Sequence, residues 1–315
     1  MVESKATTIK GSTGNPLHVW SFMPEKTPKS VLMLLHGMGE HAARYEDFAK
    51  FMAQRGIAVY THDHRGHGRS LKPSQDVGIL DTDDTFEAIL EDVDIVYRHV
   101  IRQHPGIAVS MLGHSMGSII LRRYLQRFHP ELVAVVLSGT LPLQNRIYVK
   151  LMRAVARVMG GFKGSEKRCR ALAKMMNDGL IKKIPQAQTP FDWICSDADV
   201  VTRYIEDPLC GYAYNKRFYN AFFKTIDHAD KPENIRKSLP VPVMMISGED
   251  DPLSEDMRAI ERLAQRYRAL QPHADIEVHA VPKARHEVIN EHNKQETYER
   301  IRAFLDRKVE DASTS

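Results

Sequence analysis

Ser115 stands in Gly113-His114-Ser115-Met116-Gly117, which fits the pattern G-x-S-x-G. A serine hydroxyl is a weak nucleophile until a base takes its proton, and an acid must hold that base in one tautomer. Such chemistry asks for a histidine and a carboxylate elsewhere in the chain. Ahead of the pentapeptide lies a short apolar run of strand length, Ile107 to Leu112. Behind it, Ile120, Leu121, Tyr124, Leu125 and Phe128 recur at helical spacing. Strand, sharp turn and helix together form a nucleophile elbow. The turn brings backbone segments so close that a Cβ at either glycine would clash. It also sets the hydroxyl at a helix N-terminus, where developing negative charge is favoured. Alone, the pentapeptide also fits a glycine-rich turn with a solvent-facing serine, so its partners decide.

The elements that must position those partners follow a βα rhythm. Thr7–Lys10 and Leu17–Phe22 read as a hairpin around a Gly-Ser-Thr-Gly-Asn-Pro turn. Apolar runs at Val31–Leu35, Ile57–Tyr60, Leu132–Leu137, Val241–Ser247 and Ile276–Val281 predict strands covered on both faces. Between them lie amphipathic helices: one bearing Tyr45, Phe48, Ala49 and Met52 and stopped by Gly56, one bearing Phe86, Ile89, Leu90, Val93, Tyr97 and Val100. Ser254 is placed to cap a helix carrying Met257, Ile260, Leu263, Ala264 and Tyr267, and Tyr298, Ile301, Phe304 and Leu305 mark a last helix. This alternation predicts a mostly parallel sheet wrapped by helices. The rhythm breaks after Ser138. From about Leu141 to Leu239 only helical periodicity and aromatic bulk appear (Leu151, Met152, Val155, Val158; Leu172, Met175, Met176; Trp193; Phe218 to Phe223), which reads as an inserted helical cap.

In a sheet of this class the order along the chain is Ser, acid, His. Asp251 lies in the turn after the Val241–Ser247 strand and His286 in the loop after the last strand, both at the edge that carries Ser115. Glu249 and Asp250 rival Asp251 by spacing. His279 falls within a strand, and His273 and His292 lie outside the post-strand loop. The oxyanion needs two backbone donors: Met116, next to the nucleophile, and Met38, in His36-Gly37-Met38-Gly39-Glu40-His41. His36 is read as structural.

HGMGEH followed by RY, DHRGHGRS, GHSMG, SGEDDPL and ARHEVINE resemble, in order and spacing, the motifs of the monoacylglycerol lipase and lysophospholipase group of α/β-hydrolases, also grouped with serine aminopeptidase-like hydrolases. The resemblance covers residues 30–140 and 240–305. It implies an α/β-hydrolase fold, an eight-stranded and mostly parallel sheet with an inserted helical cap. With the break in periodicity, the chain divides into core 1–140, cap or lid 141–239 and core 240–308, and the residues after Lys308 read as a disordered tail, 309–315. The resemblance carries over Ser115 as nucleophile, Asp251 as acid with Asp250 as the one ambiguity, His286 as base, and Met38 and Met116 as oxyanion donors. DHRGHGRS becomes a structural loop. The implied activity is hydrolysis of lipid-like esters, monoacylglycerol or lysophospholipid, through an acyl-enzyme. A peptidase or amidase on the same triad, or a small-ester carboxylesterase, is the alternative.

Composition fits that reading. The chain has 315 residues and a formal net charge of +4. MVESKATTIKGSTG has no apolar h-region, and the three cysteines, Cys169, Cys195 and Cys210, show no ligand or C-x-x-C spacing. A cytoplasmic, reduced protein is expected, with no metal, no cofactor and no nucleic-acid partner. Charge is uneven: residues 144–183 hold eleven Lys and Arg against Glu166 and Asp178. Such a block suits transient contact with an anionic membrane surface, or simply a solvated helical face.

Overall fold

The computed structural model describes residues 2–81, 85–141, 151, 154–155 and 167–314. Eight strands form one sheet: β1 (Glu3–Lys10), β2 (Pro16–Met23), β3 (Ser30–Leu35), β4 (Ile57–His62), β5 (Val109–His114), β6 (Ala134–Ser138), β7 (Val243–Gly248) and β8 (Ile276–Val281). Their order is β1-β2-β4-β3-β5-β6-β7-β8. β1 pairs antiparallel with β2, and β2 with β4; every pairing from β4 to β8 is parallel. The expected architecture is therefore present.

The continuous apolar runs find their reason in the layers. β3 to β7 are buried along their whole length. Val31, Met33 and Leu35 of β3 face one core, and Leu32 and Leu34 face the other, as a period of two demands. The first core is closed by α2 (Thr85–Gln103), α3 (Met116–Arg127) and α8 (Arg258–Leu270). The second is closed by α1 (Glu46–Gln54) and α9 (Lys294–Thr314), where the Phe48 and Tyr298 rings meet edge to face at 5.0 Å. β1, at the sheet edge, is exposed and polar, which blunts edge-to-edge pairing.

Between β6 and β7 the described residues hold no strand. They form α4 (Arg170–Ile181), α5 (Ala198–Glu206), α6 (Lys216–Ala229) and α7 (Pro232–Lys237). Arg146, Lys150, Met152, Arg153, Arg157, Val158, Lys163 and Glu166 lie outside the described residues. Among those described, no helix is long and apolar enough to cross a membrane.

Three local expectations are corrected. β5 runs through His114 rather than ending at Leu112, because Gly113 and His114 pair with Leu137 and Ser138 of β6. Ser254 does not cap α8. Glu255, Asp256 and Met257 all take positive φ, so the helix starts at Arg258, while Ser254 Oγ lies 3.1 Å from Gly248 O and 3.0 Å from Asp251 O and ties the turn to β7. Finally, the segment after Lys308, expected to be a disordered tail, continues α9 as an exposed helix to Thr314.

Candidate active site

The elbow forms where β5 ends. Ser115 sits at φ 49° and ψ −115°, a conformation a non-glycine residue keeps only when its surroundings over-determine it. Here they do. Ser115 N donates to Ser138 O at 2.9 Å, and Ser118 Oγ donates to Ser115 O at 2.6 Å. A Cβ on Gly113 would stand 2.5 Å from Gly117 O, and one on Gly117 would overlap Leu35 O. The turn can be built only with glycine at both places.

Ser115 Oγ donates to His286 Nε2 at 2.9 Å, and His286 Nδ1 donates to Asp251 Oδ2 at 2.8 Å. All three side chains are buried. They come from the ends of β5, β7 and β8, the sheet edge the sequence pointed to. Asp251 is held further by Leu253 N at 2.9 Å and Ser247 Oγ at 3.2 Å. Glu249 and Asp250 are exposed, so the buried partner of the imidazole is Asp251. Burial alone would depress the His286 imidazole, but the Asp251 carboxylate outweighs it and raises the pKa above 6.5. The carboxylate moves the opposite way: burial pushes Asp251 up, and His286 pulls it below its ordinary value. Trp193 closes over the ring, centroid to centroid 5.2 Å.

Gly37 N donates to Glu40 Oε1 at 2.5 Å and Gly39 N to Tyr214 Oη at 2.6 Å, so both amides flanking Met38 are engaged inside the protein. Among the described residues neither Met38 N nor Met116 N has such a partner. Gly37 lies against Ser115: a Cβ there would be 3.2 Å from Ser115 Cβ. His36 is structural, as expected, with Nδ1 donating to Gly37 O at 2.8 Å and Nε2 accepting from His64 N at 2.9 Å. DHRGHGRS is likewise a scaffold: Asp63 accepts from Ala42 N and Arg69 N at 2.8 Å each, and Arg65 pairs with buried Asp92 at 2.7 Å. His279 pairs with Glu277 at 3.2 Å, and His292 lies 3.4 Å from Asp197; neither reaches the site.

Two groups of contacts escaped the motif reading. Arg44 bridges Glu40 of the Met38 loop at 2.6 Å and grips Glu287, next to His286, with two bonds of 2.6 and 2.7 Å. Burial pushes the Glu40 carboxyl up, whereas for Glu287 the Arg44 guanidinium overrides burial and holds it below its ordinary value. The insertion is stitched to the same loops. Ile194 O accepts from Glu287 N at 2.7 Å, Glu291 accepts from Ser196 N at 3.0 Å, and Gly39 O accepts from Gly211 N and Tyr204 Oη at 2.9 Å each. A polar residue that is buried only in the fold leaves no periodic signal; the RY and HEVINE letters around Arg44 and Glu287 were the only sign.

A cavity of about 670 Å³ opens on Ser115 and His286. Met176, Leu180, Phe191, Trp193, Tyr219 and Phe222 give it apolar walls, and Arg168, Arg170 and Lys174 line it as well. Met175, expected with Met176 on one face, is instead exposed.

The chain is 28% identical over 276 residues to the monoacylglycerol lipase of Mycolicibacterium smegmatis, covering 87% of this chain and 86% of that one. It is 24% identical to the monoglyceride lipase of Homo sapiens, over 80% of this chain and 75% of that one. Its fold is similar to the carboxyl esterase from Bacillus coagulans, with a TM-score of 0.88 at 25% identity over 98% and 100% of the two chains. The monoglyceride lipase of Saccharomyces cerevisiae gives a TM-score of 0.73 at 19% identity, over 98% and 96%. The profile of the family described as serine aminopeptidase, S33, matches residues 26–293, and the chain belongs to that family of α/β-hydrolases.

Proposed function

We propose that this protein hydrolyses carboxylic esters of lipid-like substrates, monoacylglycerol or lysophospholipid, through an acyl-enzyme on Ser115. The observation that carries the reading is the Ser115–His286–Asp251 relay opening into a largely apolar cavity. Ser115 Oγ attacks the ester carbonyl as its proton passes to His286 Nε2, and Asp251 stabilises the imidazolium. Met38 and Met116 N–H groups receive the oxyanion. Collapse expels the alcohol, protonated by His286. Water, deprotonated by the same imidazole, then releases the fatty acid and restores Ser115. The insertion, residues 141–239, acts as the cap over the acyl chain. The names of the lipase relatives agree with this substrate class.

The family's description favours one other reading, an aminopeptidase. Such an enzyme needs a carboxylate to bind the substrate's free ammonium group. In this cavity Glu40 and Glu287 are both held by Arg44, and Asp178 by Lys174 at 2.6 Å. Arg168, Arg170 and Lys174, which line the cavity, belong to the basic segment 144–183 through which transient contact with an anionic lipid surface is proposed. The test is a panel of monoacylglycerols, lysophospholipids, short aryl esters and aminoacyl-arylamides, run beside Ser115→Ala, with fluorophosphonate labelling of Ser115. Rates that rise with acyl length support the proposal. Arylamide cleavage without that rise would replace it.

A further inference from the structure

His41 closes the HGMGEH loop, and its Nε2 faces Asp207 Oδ2 across 2.8 Å. Cys210 Sγ completes a group of three donor atoms that all lie within 4.8 Å of one another. None takes part in the relay. Two are deeply placed, His41 at 9% and Cys210 at 8% exposure, while the Asp207 side chain keeps 30%. The cluster is therefore closed toward the protein and open on one side.

We infer that His41, Asp207 and Cys210 form a binding site for a zinc-class transition-metal ion, which joins the insertion to the Met38 loop. The donor set is the first reason. Imidazole nitrogen, thiolate sulfur and carboxylate oxygen suit a borderline cation, whereas calcium and magnesium take shells of oxygen. Geometry is the second. Tetrahedral zinc with bonds of ~2.0–2.3 Å holds its donors about 3.3–3.7 Å apart, so the widest gap here closes by about one ångström of side-chain rotation. The third reason is orientation. Asp207 Oδ1 already accepts from Leu209 N at 2.8 Å, which fixes the carboxylate with its other oxygen toward His41.

Protons balance simply. Zinc takes the His41 Nε2 lone pair, so the ring proton sits on Nδ1 and the hydrogen bond to Asp207 is exchanged for two metal bonds. The Cys210 thiol releases one proton to solvent, and affinity therefore rises with pH. Water from the open side fills the fourth position. The donors lie at positions 41, 207 and 210, so no sequence spacing announces them. The ion would act beside Gly39 O, where Tyr204 Oη and Gly211 N already hold the insertion to the loop.

The test uses the untagged full-length protein, reduced and stripped with a chelator, titrated with Co²⁺ and then with Zn²⁺. Expected are one ion per chain and a thiolate-to-cobalt charge-transfer band, kept in Cys169→Ser and lost in Cys210→Ser. Zn²⁺ affinity, read by competition with a fluorescent chelator, should fall roughly 10–100-fold in His41→Gln and Asp207→Asn. If Cys210→Ser does not fold, Asp207→Asn decides, since it keeps the thiol. A wild-type protein without the band, a band that survives Cys210→Ser, or undiminished Zn²⁺ affinity in Asp207→Asn overturns the inference. The trio is then a His–Asp hydrogen bond beside a passive thiol.

Discussion

Tyr214 Oη accepts the Gly39 amide proton at 2.6 Å and donates its own to His67 Nε2 at 2.8 Å, although Gly39 lies in the Met38 loop and Tyr214 in the insertion. His67 completes the chain by donating from Nδ1 to Arg65 O at 3.0 Å. The hydroxyl thus has both its roles assigned, and the Met38–Gly39 peptide is oriented by a residue from across the cavity. On the proposed mechanism Tyr214 is a positioning residue, through which the insertion supports the loop that would receive the oxyanion.

Tyr214→Phe keeps the ring, which stacks on Phe218 at 3.7 Å, and leaves Gly39 N–H and His67 Nε2 without a partner. A buried hydrogen bond lost this way costs ~1–2 kcal/mol, about 5–30-fold if it is felt in the transition state. Steady-state kinetics on a medium-chain ester should show that drop in kcat with KM within about twofold. An unchanged kcat, with only a lower melting temperature, would reduce Tyr214 to scaffolding.

The two aspartates after β7 offer a sharper contrast. Asp251→Asn leaves His286 Nδ1 facing an amide that can hold the wrong tautomer, and kcat should fall ~10³–10⁴-fold. Asp250→Asn changes an exposed side chain, and its rate should stay within about twofold of wild type. Side-by-side rates at one pH decide the matter; a large loss in Asp250→Asn would reassign the acid.

This contrast also marks how far the sequence could be read. Period-two burial and apolar runs give the strands, and G-x-S-x-G with its flanks gives the elbow, because backbone sterics restrict the letters at Gly113 and Gly117. Asp251 could not be told from Asp250 by spacing, since one residue along a turn decides which carboxylate enters the interior. Ser254 misled for a related reason. Its hydroxyl serves the turn that carries Asp251, and three residues at positive φ postpone α8 by three positions. Arg44, Glu287 and Tyr214 were hidden altogether, as their partners lie 243 and 175 residues away.

With His286 as the base of the proposed mechanism, its raised pKa should set the acid side of the activity profile. The base works only when neutral, so kcat/KM should fall as pH drops through a midpoint above 6.5, the ordinary imidazole value. The Asp251 carboxylate is what outweighs burial there. In Asp251→Asn the residual rate should therefore titrate with a midpoint shifted to lower pH. A wild-type acid limb centred at or below 6.5, or one that does not move in the variant, would contradict this account of the pair.

Stability should respond to acid through histidines that do no chemistry. His36, His62, His64 and His67 lie together under the Met38 loop, with the His36 and His64 rings 4.2 Å apart and His62 and His64 5.0 Å apart. Burial pushes His62 and His67 down to about 4, and burial with neighbouring imidazoles puts His36 and His64 well below 6.5; burial takes His114 to about 3. Below pH ~6.5 the unfolded chain takes up protons that the folded chain refuses, so the unfolded state gains and stability falls with pH. The contribution is complete above pH ~6.5 and drains away toward pH 4, at up to ~1.4 kcal/mol per pH unit for each proton. His286, held above its ordinary value, acts in the opposite sense, but it is one group against five. Urea midpoints at pH 7.5, 6.5, 5.5 and 5.0 should fall steeply across the last three while the m-value stays constant. A midpoint flat between pH 6.5 and 5.0 would mean that these imidazoles are protonated in the fold, and that the hydrogen bond from His64 N to His36 Nε2 is not made.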